Sequence, residues 1–328
     1  MTPLLAIRNL RVTFATFSGD VTAVDGVSLE MAPGETLGIV GESGSGKSVL
    51  SLAVMRLTAD PPTCRIEGDI TFEGEDLRGK SEREMQAIRG NRIAMIFQEP
   101  MTALNPVYTV GRQIGEAILA HQKVTEAAAR ARVVELLRLV RIPAAETRVD
   151  AYPHELSGGM RQRVMIAMAL ASRPSLIIAD EPTTALDVTV QAQILHLLRD
   201  IRQSTGAGVV LITHDLGVVA EMADRVAVMY AGRVVETARV RALFEDAMHP
   251  YTIGLLCSIP ELGTAAERLS AIPGTVPSPG NMPVGCRFHP RCPFAVARCE
   301  EEPPPLREIA AGHLAACWRL PIEDVETV

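Results

Sequence analysis

Gly41-Glu42-Ser43-Gly44-Ser45-Gly46-Lys47-Ser48 is the stretch that decides the fold. It has the form G-x-x-x-x-G-K-S/T, in which glycines let successive backbone amides turn inward on an anion. Just upstream, Thr36 to Val40 is apolar and β-prone, which suits a buried strand ending at Gly41. Lys47 opens a helical pattern through Val49, Leu50, Leu52, Ala53 and Leu57, whose N-terminal dipole adds to the anion site. Lys47 can reach the β- and γ-phosphates of ATP, and the Ser48 hydroxyl can ligate Mg2+. A glycine-rich turn without a ligand is the plain alternative, and the strand-loop-helix setting argues against it.

Leu176 to Ala179 reads as a second buried strand that delivers Asp180 and Glu181 at its carboxyl end. Ligands collect there in an open α/β sheet. Asp180 is suited to holding the Mg2+ shell and Glu181 to polarising the attacking water. A third strand, Val209 to Thr213, leads into His214. Leu156-Ser157-Gly158-Gly159-Met160 is a second glycine-rich grip, opening an apolar helix through Val164, Ile166, Met168 and Leu170. That helix is expected to be buried, with its free amides forming a second anion site at Ser157, Gly158 and Gly159. Two half-grips in one chain imply that each ATP is held between two chains.

Ser157-Gly158-Gly159 followed by Met160-Arg161-Gln162-Arg163 resembles the signature motif of ABC-type ATPases. The resemblance implies an α/β P-loop NTPase, with a mixed sheet core, antiparallel β and helical subdomains, and a small irregular C-terminal extension. On that resemblance Gln98 matches the Q-loop glutamine beside Mg2+, Ala185-Leu186-Asp187 the D-loop, and His214 the histidine that senses the γ-phosphate. Phe14 falls where the family stacks a ring on adenine, with Phe17 as competitor and a tight loop bearing Asn9 and Gly19 nearby. Ile96-Phe97-Gln98-Glu99-Pro100-Met101-Thr102-Ala103-Leu104-Asn105-Pro106 is similar to the corresponding segment of oligopeptide and dipeptide importer ATPases. The family's usual aspartate before the proline is Glu99 here. Val228 to Arg233, His249-Pro250-Tyr251-Thr252, and Ile272-Pro273-Gly274 through Cys317 resemble the same family.

What this implies is an ATPase subunit of a peptide importer, working with a related second ATPase, two permeases and an extracytoplasmic peptide-binding protein. Importers of nickel chelates, glutathione or oligosaccharides are the alternative substrate classes. A non-transport ABC ATPase of translation or DNA repair fits less well, because this chain has one cassette and no long coiled-coil insertion.

The expected organisation is a nucleotide-binding domain over 1–250, with a helical subdomain at about 100–172, and the extension over 251–328. Apolar residues recur at helical spacing between Thr109 and Val149, whereas proline and glycine crowd Ile272 to Pro283. A chain of 328 residues with 47% hydrophobic content can bury a sizeable core. A net charge of −7 argues against a nucleic-acid partner. No apolar run approaches the roughly 18 residues needed to cross a bilayer, and Met1 to Leu10 lacks a signal-peptide centre. The expected location is the cytoplasmic face of the cell membrane, with membrane contact only through the permeases.

Cys286, Cys292, Cys299 and Cys317 crowd the end of the chain, with His289 and His313 among them. A reducing cytosol disfavours disulfides, so metal ligation is the natural expectation. The spacing matches neither C-x-x-C zinc pairs nor ferredoxin runs. Because peptide-importer subunits of this type include iron–sulfur proteins, a four-iron (4Fe-4S) cluster ranks first, structural zinc second and free thiols third.

Overall fold

The apolar runs beside the motifs become strands. In chain order the strands are β1 (Leu5–Thr16), β2 (Gly19–Met31), β3 (Thr36–Val40), β4 (Cys64–Phe72), β5 (Glu75–Asp76), β6 (Ile93–Ile96), β7 (Leu176–Asp180), β8 (Gly208–Thr213), β9 (Arg225–Tyr230), β10 (Arg233–Arg239), β11 (Arg307–Ala310) and β12 (His313–Ala315). The structure is a computed structural model that describes residues 2–99, 103–184, 186–258, 272–278 and 280–322. Two compact units divide the chain. One takes Glu73–Ile212 with Met31–Glu35 and the chain start through Leu4, and the other takes Leu5–Glu30, Thr36–Phe72 and the chain from Thr213 onward.

In the first unit, β6, β7 and β8 run parallel, with Ile93 facing Leu176 and Asp180 facing Ile212. All five residues of β7 are buried, as a parallel strand covered on both faces requires. Helices Val110–His121, Glu126–Leu139 and Gly158–Ala169 fill the 103–172 region. Each starts at a hydroxyl cap: Thr109, Thr125 and Ser157 accept from the backbone N–H three residues on. Ile114, Ile118, Val133, Leu136 and Leu137 are the buried face of this layer. Arg163 ties the third helix down, donating to the Val140 carbonyl at 2.8 Å and to Gln193 Oε1 at 2.9 Å.

The second unit holds a sheet in the order β11-β12-β10-β9-β3, in which β3 and β9 are parallel and the rest antiparallel. A separate antiparallel group places β1 between β2 and β4. The core of this unit includes Val40, Val226, Val228, Leu243, Tyr230, Tyr251 and Phe288. Tyr230, Tyr251 and Phe288 meet ring to ring, with centroids 4.6 to 5.4 Å apart. Thus the extension builds part of this unit's core. Glu236 on β10 is fully buried and accepts from the Met248 and His249 N–H groups and from His313 Nε2, all within 2.9 Å.

Three local expectations change. The first helix is Lys47–Val54, because Arg56 turns left-handed (φ 48°) and leaves Leu57 exposed. Asn9 lies inside β1 at a bulge, with φ 48°, and not in a connecting loop. The end of the extension forms β11 and β12, and Ala315 of β12 pairs with Glu236.

Candidate active site

The phosphate loop joins β3 to the Lys47–Val54 helix. A Cβ at Gly41 would sit 2.1 Å from the Met229 carbonyl oxygen, and one at Gly46 2.5 Å from that of Ala23. Both glycines also have positive φ, so the loop path excludes other residues at these points. Lys47 is buried and donates to the Gly41 carbonyl at 2.7 Å, the Glu42 carbonyl at 3.0 Å and Ser45 Oγ at 3.3 Å. Ser45 is buried, whereas Ser43 and Gly44 are exposed at the crest. The Gly232 N–H donates to the Ser45 carbonyl at 2.9 Å, which pins the loop to the β9–β10 turn.

At the end of β7 the structure brings two of the expected residues together. Gln98 Nε2 donates to Glu181 Oε2 at 2.9 Å. Thr184 Oγ1 donates to the same oxygen at 2.7 Å. Sequence reasoning missed Thr184, although a hydroxyl three residues beyond Glu181 was a readable signal. Glu181 has φ 47°, a left-handed conformation that non-glycine residues seldom adopt, and its N–H donates to the Ile212 carbonyl at 2.9 Å. Such strain concentrates at functional positions. Asp180 beside it is buried. Gln98 and Asp180 offer amide and carboxylate oxygens, the donor type Mg2+ takes. With its nitrogen committed to Glu181, Gln98 keeps its amide oxygen as acceptor.

Ser157 caps the Gly158–Ala169 helix, its Oγ accepting from the Met160 N–H at 3.4 Å. Ser157 and Gly158 are exposed at that N-terminus and Gly159 is half-buried. His214 follows β8 on an exposed position and Asp187 caps the Val188–Thr205 helix. Phe14 is half-buried on β1 opposite Cys64, and Phe17 is fully exposed. Ala185 and the Pro100-Met101-Thr102 portion of the Q-loop segment lie outside the described residues.

An ATPase cassette is the class these parts define. The chain belongs to the ABC transporter family and carries the C-terminal region of its oligopeptide/dipeptide branch. The ABC transporter model matches residues 24–184, and the model of the oligopeptide/dipeptide transporter C-terminal region matches residues 235–299. The oligopeptide transport ATP-binding protein OppD of Bacillus subtilis is 53% identical, over 98% of this chain and 90% of its own length. A probable peptide ABC transporter ATP-binding protein of Sinorhizobium fredii, y4tR, is 54% identical over 96% of this chain and 95% of its own. The dimeric post-hydrolysis structure of the ATP-binding cassette MJ0796 with ADP and Pi is 28% identical, with a TM-score of 0.65. It covers 72% of this chain and 99% of its own.

The expectation of a metal at Cys286, Cys292, Cys299 and Cys317 is corrected. Among the described residues no group of three or more His, Cys, Asp or Glu side chains could hold a metal ion, which removes the 4Fe-4S cluster and zinc alike. The descriptions of the two matching families, ABC transporter and oligopeptide/dipeptide transporter C-terminal region, name no iron–sulfur cluster. Burial pushes the Cys286 and Cys317 thiols up and Cys292 to about 12, so the chain as it stands holds them as neutral thiols. Cys299 and Cys317 are buried, and Cys286 and Cys292 pack against the Tyr230–Phe288 core as small apolar groups.

Proposed function

We propose that this chain is the ATP-hydrolysing subunit that powers peptide import across the cytoplasmic membrane. The observation that carries the reading is the oligopeptide/dipeptide transporter region at 235–299 on the same chain as a complete phosphate loop. We take 1–250 as the nucleotide-binding domain, about 100–172 as its helical subdomain, and 251–328 as the extension.

The chemistry follows from the residues. Lys47 and the amides of Gly44 to Ser48 take the phosphates by charge-assisted hydrogen bonds. Glu181 holds and polarises the attacking water, and the bonds from Gln98 and Thr184 keep its carboxylate in one orientation. Bound Mg2+ would neutralise phosphate charge, held by Ser48, Gln98 and Asp180. His214 contacts the γ-phosphate, and Phe14 stacks on adenine. Ser157, Gly158 and Gly159 act on the ATP bound to a partner chain, through the exposed helix N-terminus. Contacts made only in that closed pair supply the energy that rocks two permeases. No helix among the described residues is long and apolar enough to cross a membrane. Docked on the permeases, the chain would sit peripherally on the cytoplasmic face.

The test is ATPase activity of the complex with its permeases in vesicles. A peptide-loaded binding protein should stimulate it, and Lys47→Ala should abolish that response. Stimulation by nickel chelates, glutathione or oligosaccharides, with none by peptides, would refute the peptide reading.

A further inference from the structure

Glu42 is the second residue of the phosphate loop and is held at three points. Its carbonyl accepts from Lys47 Nζ at 3.0 Å, and its N–H donates to Tyr251 Oη at 2.8 Å. Its carboxylate takes two parallel bonds from Arg291, Nη1 to Oε2 at 2.7 Å and Nη2 to Oε1 at 3.1 Å. Tyr251 and Arg291 both come from the chain beyond residue 250.

A carboxylate in an anion-binding loop is an electrostatic anomaly, since it repels the phosphates the loop exists to hold. Arg291 answers it. Only 4% of its side chain is exposed, against 33% for that of Glu42, so the pair is only partly screened. Its other donors go to the Pro273 carbonyl at 2.8 Å, the Ile272 carbonyl at 3.3 Å and Tyr230 Oη at 3.3 Å. The guanidinium is therefore aimed by the extension and by β9, and Glu42 is the carboxylate that balances its charge. A second tether lies four residues earlier. Arg287 donates to the Ala231 carbonyl and to Asp25, next to the Gly232 N–H that holds Ser45.

We propose that Arg291 is a positioning residue for the phosphate loop: it neutralises Glu42 and draws its carboxylate away from the phosphates. ATP affinity then depends on the docked extension through this ion pair. The proposal rests on the reading that ATP occupies this loop.

The experiment measures ATP affinity of the full-length purified chain with a fluorescent ATP analogue, with thermal melting as a check on folding. Arg291→Met should weaken binding roughly tenfold, the size of coupling typical of side chains in direct contact. Adding Glu42→Gln to Arg291→Met should restore affinity to near wild type, because the unbalanced charge is gone. A packing role for Arg291 would not show that rescue. Arg291→Lys, which keeps the charge but not the paired geometry, should fall between and serves where Arg291→Met fails to fold. If Lys47→Ala binds ATP normally, the loop reading falls and this proposal with it. If Lys47→Ala binds weakly while both Arg291 variants bind normally, or Glu42→Gln gives no rescue, the positioning role alone is overturned.

Discussion

Glu181→Gln separates the chemistry of this site from its stability. The substitution keeps side-chain volume and an oxygen that Thr184 Oγ1 can still reach from its present 2.7 Å. It loses the charge that strengthens that bond and the one from Gln98 Nε2 at 2.9 Å. Two charged hydrogen bonds reduced to neutral ones cost about 1–2 kcal/mol together at such a half-buried position. The left-handed backbone, φ 47°, is no worse for glutamine than for glutamate. Losing a positioned general base costs about 10²–10⁴-fold in rate, or roughly 3–5 kcal/mol of barrier. The rate effect should therefore exceed the stability effect. The assay is phosphate release by the purified complex, with the partner ATPase's own site disabled, alongside ATP binding and thermal melting. Turnover should collapse while binding and melting stay close to wild type. Turnover within a factor of about ten of wild type would remove Glu181 from the catalytic role.

Further outcomes follow from the same contacts. Gly158→Asp should fold, because a Cβ there meets nothing nearer than Leu186 Cδ2 at 3.8 Å. It should leave ATP binding by the isolated chain unchanged and block nucleotide-driven dimerisation on size exclusion; lost ATP binding would refute a site acting on the partner's nucleotide. Glu236→Ala strips three donors of a buried acceptor and should cost about 3–5 kcal/mol, read as a lower urea midpoint. Burial, partly countered by Glu236, lowers the pKa of His249 from the ordinary 6.5 to about 4. The unfolded histidine takes its proton first, so the stability gained is complete above about 6.5 and is lost as pH falls toward 4. His249→Asn keeps an acceptor for the Tyr251 N–H and should flatten that part of the stability–pH curve; an unchanged slope would count against the buried neutral imidazole.

Sequence alone determined what depends on neighbours along the chain. The runs Thr36–Val40, Leu176–Ala179 and Val209–Thr213 announce buried strands, and the structure places β3, β7 and β8 within a residue of them. The phosphate loop, the acids after β7 and the glycine-rich helix start were legible because turn chemistry and period are local. Tertiary structure decided the rest. Whether four cysteines meet as ligands depends on where the turns of the extension place them, which spacing does not encode, and the metal expectation failed there among the described residues. Strands β11 and β12 are only four and three residues long, too short to show an alternating pattern, and they form because β12 pairs with β10 and β11 with β12. Arg291 and Glu42 are separated by 249 positions. Their pairing exists because the Tyr230–Tyr251–Phe288 core docks the extension, bringing a buried cation to the carboxylate that balances it.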